Sequence, residues 1–311
     1  MTILLAGATG TIGRATLHAL RAARNRVLCQ VRDGRDVPGG EAVVCDLLQP
    51  GSLTAALGGA RVETVISCMS TRTGAPADAR AVEVEAHEAL LTEGAAAGAT
   101  RFVQLSAICV QKPRLAFQHA KLEFEARLRA SGLEWTIIRP TAYFKSLSGQ
   151  VARVQGGKPF LVFGDGRLTA CKPISDRDLA RFIVDVLEGT GTRGRVLPIG
   201  GPGPAITPMD QAEHLFELMG QAPNVRHVPV ALMRGIAGTL GALSPLGAGL
   251  RDKAEFARTG LYYATESMLV WDGQRYDADA TPETGSDTLR DHYAALLEGA
   301  TQADLGAHAV F

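Results

Sequence analysis

The chain has 311 residues, 46% apolar and 21% charged, which is enough to bury a core without disulfide or metal staples. Its 32 basic and 32 acidic residues leave a formal charge of zero; no basic stripe argues for nucleic acid, and no acidic tail argues for a disordered solvating arm. Five cysteines (Cys29, Cys45, Cys68, Cys109, Cys171) lack metal-ligand spacing and fall mostly in apolar runs, so free thiols in a reducing compartment are expected.

T-I-L-L-A opens the chain as a strand, leaving no room for a secretory or transit leader. A helix follows over about 11–24, then the strand R-V-L-C-Q-V, a turn, and the strand A-V-V-C. Next come a helix near 52–57, the strand T-V-I-S-C, and a long alanine-rich helix over about 79–97. R-F-V-Q-L-S, a helix containing F-Q-H-A-K, and W-T-I-I-R complete the run. Apolar runs of four to six residues alternating with longer helices predict βαβ units and an α/β, Rossmann-type doubly wound parallel sheet.

Beyond Pro140 the alternation breaks. G-G-K-P and F-G-D-G read as turns around a short strand pair, and Ser175 as the cap of a helix with the pattern D-R-D-L-A-R-F-I-V-D-V-L. R-V-L-P-I-G is a further strand. From Thr207 onward a smaller, mainly helical lobe is expected beside the mouth of the sheet. Residues 1–145 are therefore read as the dinucleotide-binding core and 146–311 as the substrate part, with 170–200 returning to the sheet. The apolar stretch Val228 to Leu250 is interrupted by Arg234 and Pro245 and is too short to span a membrane; one or two helices packed on the body are expected, with a peripheral membrane contact left open.

Gly7-Ala8-Thr9-Gly10-Thr11-Ile12-Gly13 lies between the first strand and the first helix, where a dinucleotide fold turns around pyrophosphate. Glycines there let the backbone approach the phosphates, and the helix N-terminus presents N–H groups and partial positive charge. Gly7, Thr9, Gly10, Thr11, Ile12 and Gly13 are the expected contacts. After the second strand, NAD-preferring sites carry an acid for the ribose diol; here Q-V-R-D-G-R places Arg32, with Arg35 nearby, and favours the 2′-phosphate of NADP, although Asp33 complicates the pattern. Asp46 and Leu47 are expected near the adenine.

Many dehydrogenases of this type place a tyrosine four residues before a lysine. Here Phe117 stands in the tyrosine position and Lys121 remains, on one face of the helix. A positioned acid is worth about 10²–10⁴ in rate, and Phe117 cannot supply it. Lys121 can still orient the nicotinamide ribose. Ser106 ends the fifth strand in the usual catalytic-serine neighbourhood, and His119 faces away from the 117/121 pair. Tyr143 is a candidate replacement hydroxyl, while Pro140 and Thr141 lie where such folds contact the nicotinamide amide. Hydride transfer to an isolated ketone creates an alkoxide that needs an acid beside it. A vinyl group conjugated with a large π system spreads the charge instead, so the missing tyrosine points to alkene reduction or to no chemistry.

The segments R-P-T-A-Y-F-K-S-L-S-G-Q-V, G-K-P-F-L-V-F-G-D-G, A-C-K-P-I-S-D-R-D-L-A, L-P-I-G-G-P-G and Y-Y-A-T-E-S-M-L resemble the 8-vinyl reductases of divinyl chlorophyllide a, NADPH-dependent atypical short-chain dehydrogenases that also carry F-Q-x-A-K. The resemblance covers nearly the whole chain. It implies NADPH as cofactor and reduction of the C8 vinyl group of a divinyl chlorophyllide, or a related magnesium tetrapyrrole, to ethyl. Plant members carry a leader; its absence here suggests a bacterial, cytoplasmic form, with loose attachment to a photosynthetic membrane left open. Phe144, Phe160, Phe163, Tyr262, Tyr263 and Met268 are the expected walls for a flat apolar macrocycle. No metal-ligand set is assigned. Two alternatives are an NADP-sensing regulator of the NmrA-like kind and a reductase resembling those of isoflavones and benzylic ethers.

Overall fold

The computed structural model describes residues 1–34 and 36–300. The chain opens with β1 (Thr2–Ala6), α1 (Thr11–Ala22), β2 (Arg26–Val31), β3 (Glu41–Val44), α2 (Ser52–Leu57) and β4 (Thr64–Ser67). α3 (Pro76–Ala79) runs through a π-helical stretch, Arg80–Ala86, into α4 (His87–Ala96). β5 (Arg101–Leu105), α5 (Ala116–Ala130) and β6 (Glu134–Pro140) follow. β1 through β6 and a later strand form one parallel sheet, in which β1 lies between β2 and β4. The strand order therefore reverses beside β1, and the crevice at the C-terminal strand ends is where such sheets bind ligands.

Alternation along β1 sorts its side chains between two cores. Ile3 and Leu5 pack against Leu17 and Leu20 of α1, whereas Leu4 and Ala6 join Leu53 of α2, Leu90 of α4 and Phe124 of α5. Both faces are covered, which is why these strands read as continuous apolar runs rather than as alternating ones.

The second half contains α6 (Phe144–Leu147), α7 (Val151–Gln155), β7 (Phe160–Phe163), α8 (Asp176–Glu188), β8 (Arg195–Ile199), α9 (Pro208–Leu218) and β9 (Val225–Val228). β8 joins the main sheet beside β6. Ser175 caps α8 by accepting from the Asp178 N–H at 3.0 Å, as its position before the periodic run suggests. The turns around 160–163 do not enclose a local strand pair: β7 pairs in parallel with β9, from Phe160↔Val225 to Phe163↔Val228. A parallel partner requires a long crossover, so no local pattern announces it.

α10 (Val230–Leu243), α11 (Ala248–Thr265) and α12 (Leu289–Leu297) complete the lobe, whose own core includes Phe144, Val154, Phe216 and Tyr293. The apolar stretch beginning at Val228 does form helices, but it is not packed on the body as expected. α10 lies against α11, and of its 14 residues only Ala237 is buried. Among the described residues no helix is long and apolar enough to cross a membrane.

Phe124 is fully buried where α5 meets the sheet, with ring centroids 4.8 Å from His87 and 5.7 Å from Phe102. Phe124→Ala is expected to destabilise the chain by about 3–5 kcal/mol, read from urea unfolding. A loss within about 0.5 kcal/mol would mean that α5 is not held through this ring.

Candidate active site

The strand ends deliver their following residues to one edge of the sheet, and there the glycine loop is built to approach a ligand closely. Gly7 has φ +78°, and a Cβ on it would lie 2.7 Å from the Cys68 carbonyl carbon. A Cβ on Gly13 would lie 2.0 Å from the Gly7 carbonyl oxygen. Gly10, the N-cap of α1, supplies no side-chain cap, and the first turn of α1 holds no acid. The helix therefore turns its N–H groups and positive end to the crevice without internal competition, an arrangement that fits a dinucleotide pyrophosphate. Lys145 adds a cation, its Nζ 3.2 Å from Thr11 Oγ1.

A cavity of about 520 Å³ opens from this loop towards the lobe. Gly10, Thr11, Ile12 and Gly13 line it at one end; Ser106, Phe117, Lys121, Pro140, Thr141 and Tyr143 line its middle. Phe160, Phe163, Tyr263 and Met268 form part of its outer wall. Two residues expected there lie elsewhere. Phe144 is turned into the lobe core, its ring centroid 5.4 Å from His292, and Tyr262 is buried with its hydroxyl donating to the Cys109 carbonyl at 2.8 Å. The residues beside them do reach the wall: Tyr143, which precedes α6, and Tyr263, itself one of the expected wall residues.

Lys121 is 3% exposed, and its Nζ donates to Glu83 Oε2 at 2.8 Å. Glu83 is fully buried on the π-helical stretch. Its other oxygen accepts from Ser70 Oγ at 2.9 Å and Thr71 N–H at 2.8 Å, so one carboxylate fixes both the lysine and the segment after β4 that lines the cavity. An ammonium has three donors, and the pair uses one. Burial works to raise the Glu83 carboxyl, but Lys121 and the bonds to it outweigh that and hold it below the usual carboxylate range. Glu83 and Lys145 were not singled out in the sequence. A-V-E-V-E-A-H-E looks like an ordinary solvated helix face, and only the contact with α5 separates Glu83 from its neighbours.

Phe117, Lys121 and Glu125 lie four residues apart on α5, placing an aromatic ring, a cation and an anion in a stripe. Glu125, fully buried, accepts from Ser106 Oγ at 2.7 Å and from Arg139 Nε at 3.0 Å, joining the ends of β5 and β6 to the helix. Ser106 is thus spoken for by a carboxylate while still on the cavity wall. Thr141 Oγ1 donates to the Lys172 carbonyl. Tyr143 is half-buried on the wall; burial, with Cys68, Cys109 and Glu83 nearby, raises its phenol well above the ordinary range, so it stays protonated. His119 is exposed on the other side of α5.

The adenosine end is more open. Arg32 and Asp46 are exposed beyond β2 and β3, outside the cavity lining, and Leu47 is in the core beneath them. Gly7 and Thr9 form the back of the loop rather than the cavity surface. Arg35 lies outside the described residues. All five cysteines are free thiols, four of them buried.

The sheet order and the glycine cradle define a dinucleotide-binding Rossmann-type protein, and a family model described as NAD(P)H-binding matches residues 7–190. The NADPH-dependent quinone oxidoreductase of Escherichia coli, solved with NADPH, superposes with a TM-score of 0.69 over 95% of this chain and 99% of that one; at 21% identity this likeness concerns the fold alone. Divinyl chlorophyllide a 8-vinyl-reductase of Cucumis sativus is 43% identical across 99% of this chain and 79% of its own length. That of Zea mays is 41% identical across 100% of this chain and 83% of its own length. The chain belongs to the divinyl chlorophyllide a 8-vinyl-reductase family.

Behind the Lys121–Glu83 pair, His87 is fully buried, 2.8 Å from Ser67 Oγ and 2.7 Å from the Val82 carbonyl oxygen. Burial pushes its imidazole down to about 4. An unfolded chain takes up that proton near pH 6.5, so stability is expected to fall as pH drops from 6.5 towards 4, by on the order of 3 kcal/mol. Loss of the Glu83 contribution below about 4.5 acts in the same direction. Urea unfolding at pH 7.5 and 5 should show this, with a shallower dependence in His87→Gln; identical slopes would place the imidazole in solvent-like surroundings.

Proposed function

We propose that the chain reduces the C8 vinyl group of divinyl chlorophyllide a, or of a closely related divinyl magnesium tetrapyrrole, to ethyl with NADPH. The observation that carries this reading is the α5 stripe: Lys121 remains at the cavity, and a phenyl ring replaces the hydroxyl acid four residues before it. NAD(P)H bound along the glycine loop supplies the hydride. Lys121, held by Glu83 and with donors to spare, orients the nicotinamide ribose, assisted at the loop by Thr11 and Lys145. Ser106, Pro140 and Thr141 shape the nicotinamide pocket. Phe160, Phe163, Tyr263 and Met268 offer the apolar surface that a macrocycle plane requires.

A conjugated vinyl group accepts hydride without an adjacent strong acid because the macrocycle spreads the negative charge. The proton needed to complete the ethyl group then goes to a strongly basic carbon. Tyr143 suits that delivery: its phenol faces the cavity and burial keeps it protonated until such a base arrives. The free thiols fit a reducing compartment, and the cytoplasm is our reading for this chain, although the relatives compared above are described as chloroplastic.

Purified protein with NADPH should convert divinyl to monovinyl chlorophyllide, seen as a blue shift of the Soret band. Lys121→Ala is expected to lower kcat/KM by about 10²-fold or more, and Tyr143→Phe to lower kcat by about 10²-fold with little change in KM. Near-full turnover in either variant would remove that residue from its role. An NADP-binding regulator would bind the nucleotide and give no shift at all.

Arg32 is exposed just beyond β2, and the sequence pattern after the second strand supports reading it as the partner of a 2′-phosphate. Arg32→Ala is expected to reduce the kcat/KM preference for NADPH over NADH by about tenfold, a loss of roughly 1.4 kcal/mol of discrimination. An unchanged ratio would assign the phosphate contact to another residue.

A further inference from the structure

Five of the nine large apolar side chains exposed among the described residues belong to one helical hairpin, α10 and α11: Leu232, Ile236, Leu243, Leu246 and Phe256. Leu246, in the turn between the helices, is 75% exposed. Leu232, Ile236 and Leu243 fall at i, i+4 and i+11, within about 40° of one another around a helix. Ala237 and Gly241 lie roughly opposite; Ala237 is buried, and Arg258 of α11 comes close enough to Gly241 that an added Cβ would be 3.2 Å from its Nη2. α10 therefore spends its small-residue face on α11 and turns its large apolar face outward. Such an isolated face is far more apolar than scattered surface leucines require.

The exposed charges on the hairpin and on β9, which leads into it, are predominantly basic. Arg226, Arg234, Arg251 and Lys253 are all exposed, against a single exposed acid, Asp252; Glu255 is buried and takes the Ala116 N–H at 2.6 Å. This occurs on a chain whose formal charge is zero. A second copy of the chain is a poor occupant, because a two-fold contact would set the same basic residues against each other. An anionic lipid surface satisfies both observations, since it accepts large apolar side chains and attracts arginine and lysine at the headgroups.

The hairpin also adjoins the cavity. Thr259, one turn beyond the exposed Phe256 on α11, lines it, as does Tyr263 one turn further. At the other end Leu168, half-exposed on the cavity rim, and Val230, the first residue of α10, both pack around Gly164.

We infer that α10 and α11 form a membrane-docking hairpin that seats on an anionic bilayer surface through Leu232, Ile236, Leu243, Leu246 and Phe256 and sets the cavity mouth at the lipid interface. It is a peripheral contact, with helices lying on the surface rather than crossing it.

The test is co-sedimentation of the full chain with phosphatidylcholine vesicles containing phosphatidylglycerol, against phosphatidylcholine alone, in the absence of pigment so that the result does not depend on the reaction. Binding is expected with the anionic vesicles and should weaken with salt. Ile236→Glu with Leu246→Glu should lower the partition coefficient by about tenfold or more, and Arg251→Glu with Lys253→Glu should abolish the preference for anionic lipid. Thermal unfolding and NADPH binding identify variants that keep the fold; these positions touch neither the glycine loop nor Lys121. Absence of vesicle binding by the parent chain overturns the inference. So does equal binding by the folded variants, or a concentration-dependent dimer that the same apolar substitutions disperse while vesicles remain unbound.

Discussion

Lys121 and Glu83 hold opposite charges together out of water, 38 residues apart in the chain, and the site is arranged around that contact. Breaking a buried pair by removing one partner typically costs about 3–5 kcal/mol, because the remaining charge is stranded. The pair therefore fixes α5 against the π-helical stretch, and through Ser70 and Thr71 it also fixes the segment after β4. The lysine reaches the cavity already oriented, with no rotamer search left for the moment a dinucleotide binds. The i→i+5 turn is part of the same device. π-helical turns recur at functional sites, and here the turn accompanies Glu83 and His87, both fully buried on the side facing α5 and the sheet.

A second buried carboxylate repeats the logic one turn along. Glu125 ties Ser106 and Arg139, at the ends of β5 and β6, to the helix that carries Lys121. Strand ends, helix stripe and glycine loop thus converge as one rigid edge. The opposite wall is apolar and comes from the lobe, where β7 and α11 face the cavity. This division suits a reaction whose nucleotide is charged and whose substrate is a conjugated ring. On the proposed reading the polar side orients the cofactor, while the lobe supplies mainly apolar surface, its carboxylate at Glu266 already paired with Lys112 and Arg114. Replacement of the usual tyrosine by Phe117 belongs to that pattern, because a phenyl ring beside Lys121 extends the apolar wall.

The lobe is not uniformly packed. Around Tyr293 it has a core of its own, yet α10 buries one residue of fourteen. A helix that spends little of its apolar surface on its own fold has surface available for something else. On α11, which α10 packs against, the exposed Phe256 lies about one helical turn from Thr259 on the cavity wall.

The βαβ alternation, the phosphate loop before an amphipathic helix and the Phe117–Lys121 spacing were legible in the sequence, because each depends on local pattern: period, a glycine's freedom, four residues on a helix. The segments that resemble the vinyl reductases are also local strings. What the sequence did not disclose depends on contacts between distant elements. Glu83 differs from its acidic neighbours only through Lys121, and β7 finds its partner in β9 across a long crossover. Phe144 and Tyr262, expected on the cavity wall, turn inward while Tyr143 and Tyr263 beside them face it, since neighbours on one element point different ways and only packing selects which way is out. The sequence by itself determined the sheet, the nucleotide loop and the loss of the tyrosine acid. The tertiary structure alone decided which carboxylate holds the lysine, which rings face the cavity and which apolar helix stays uncovered, because burial is a property of the assembled elements and not of any one of them.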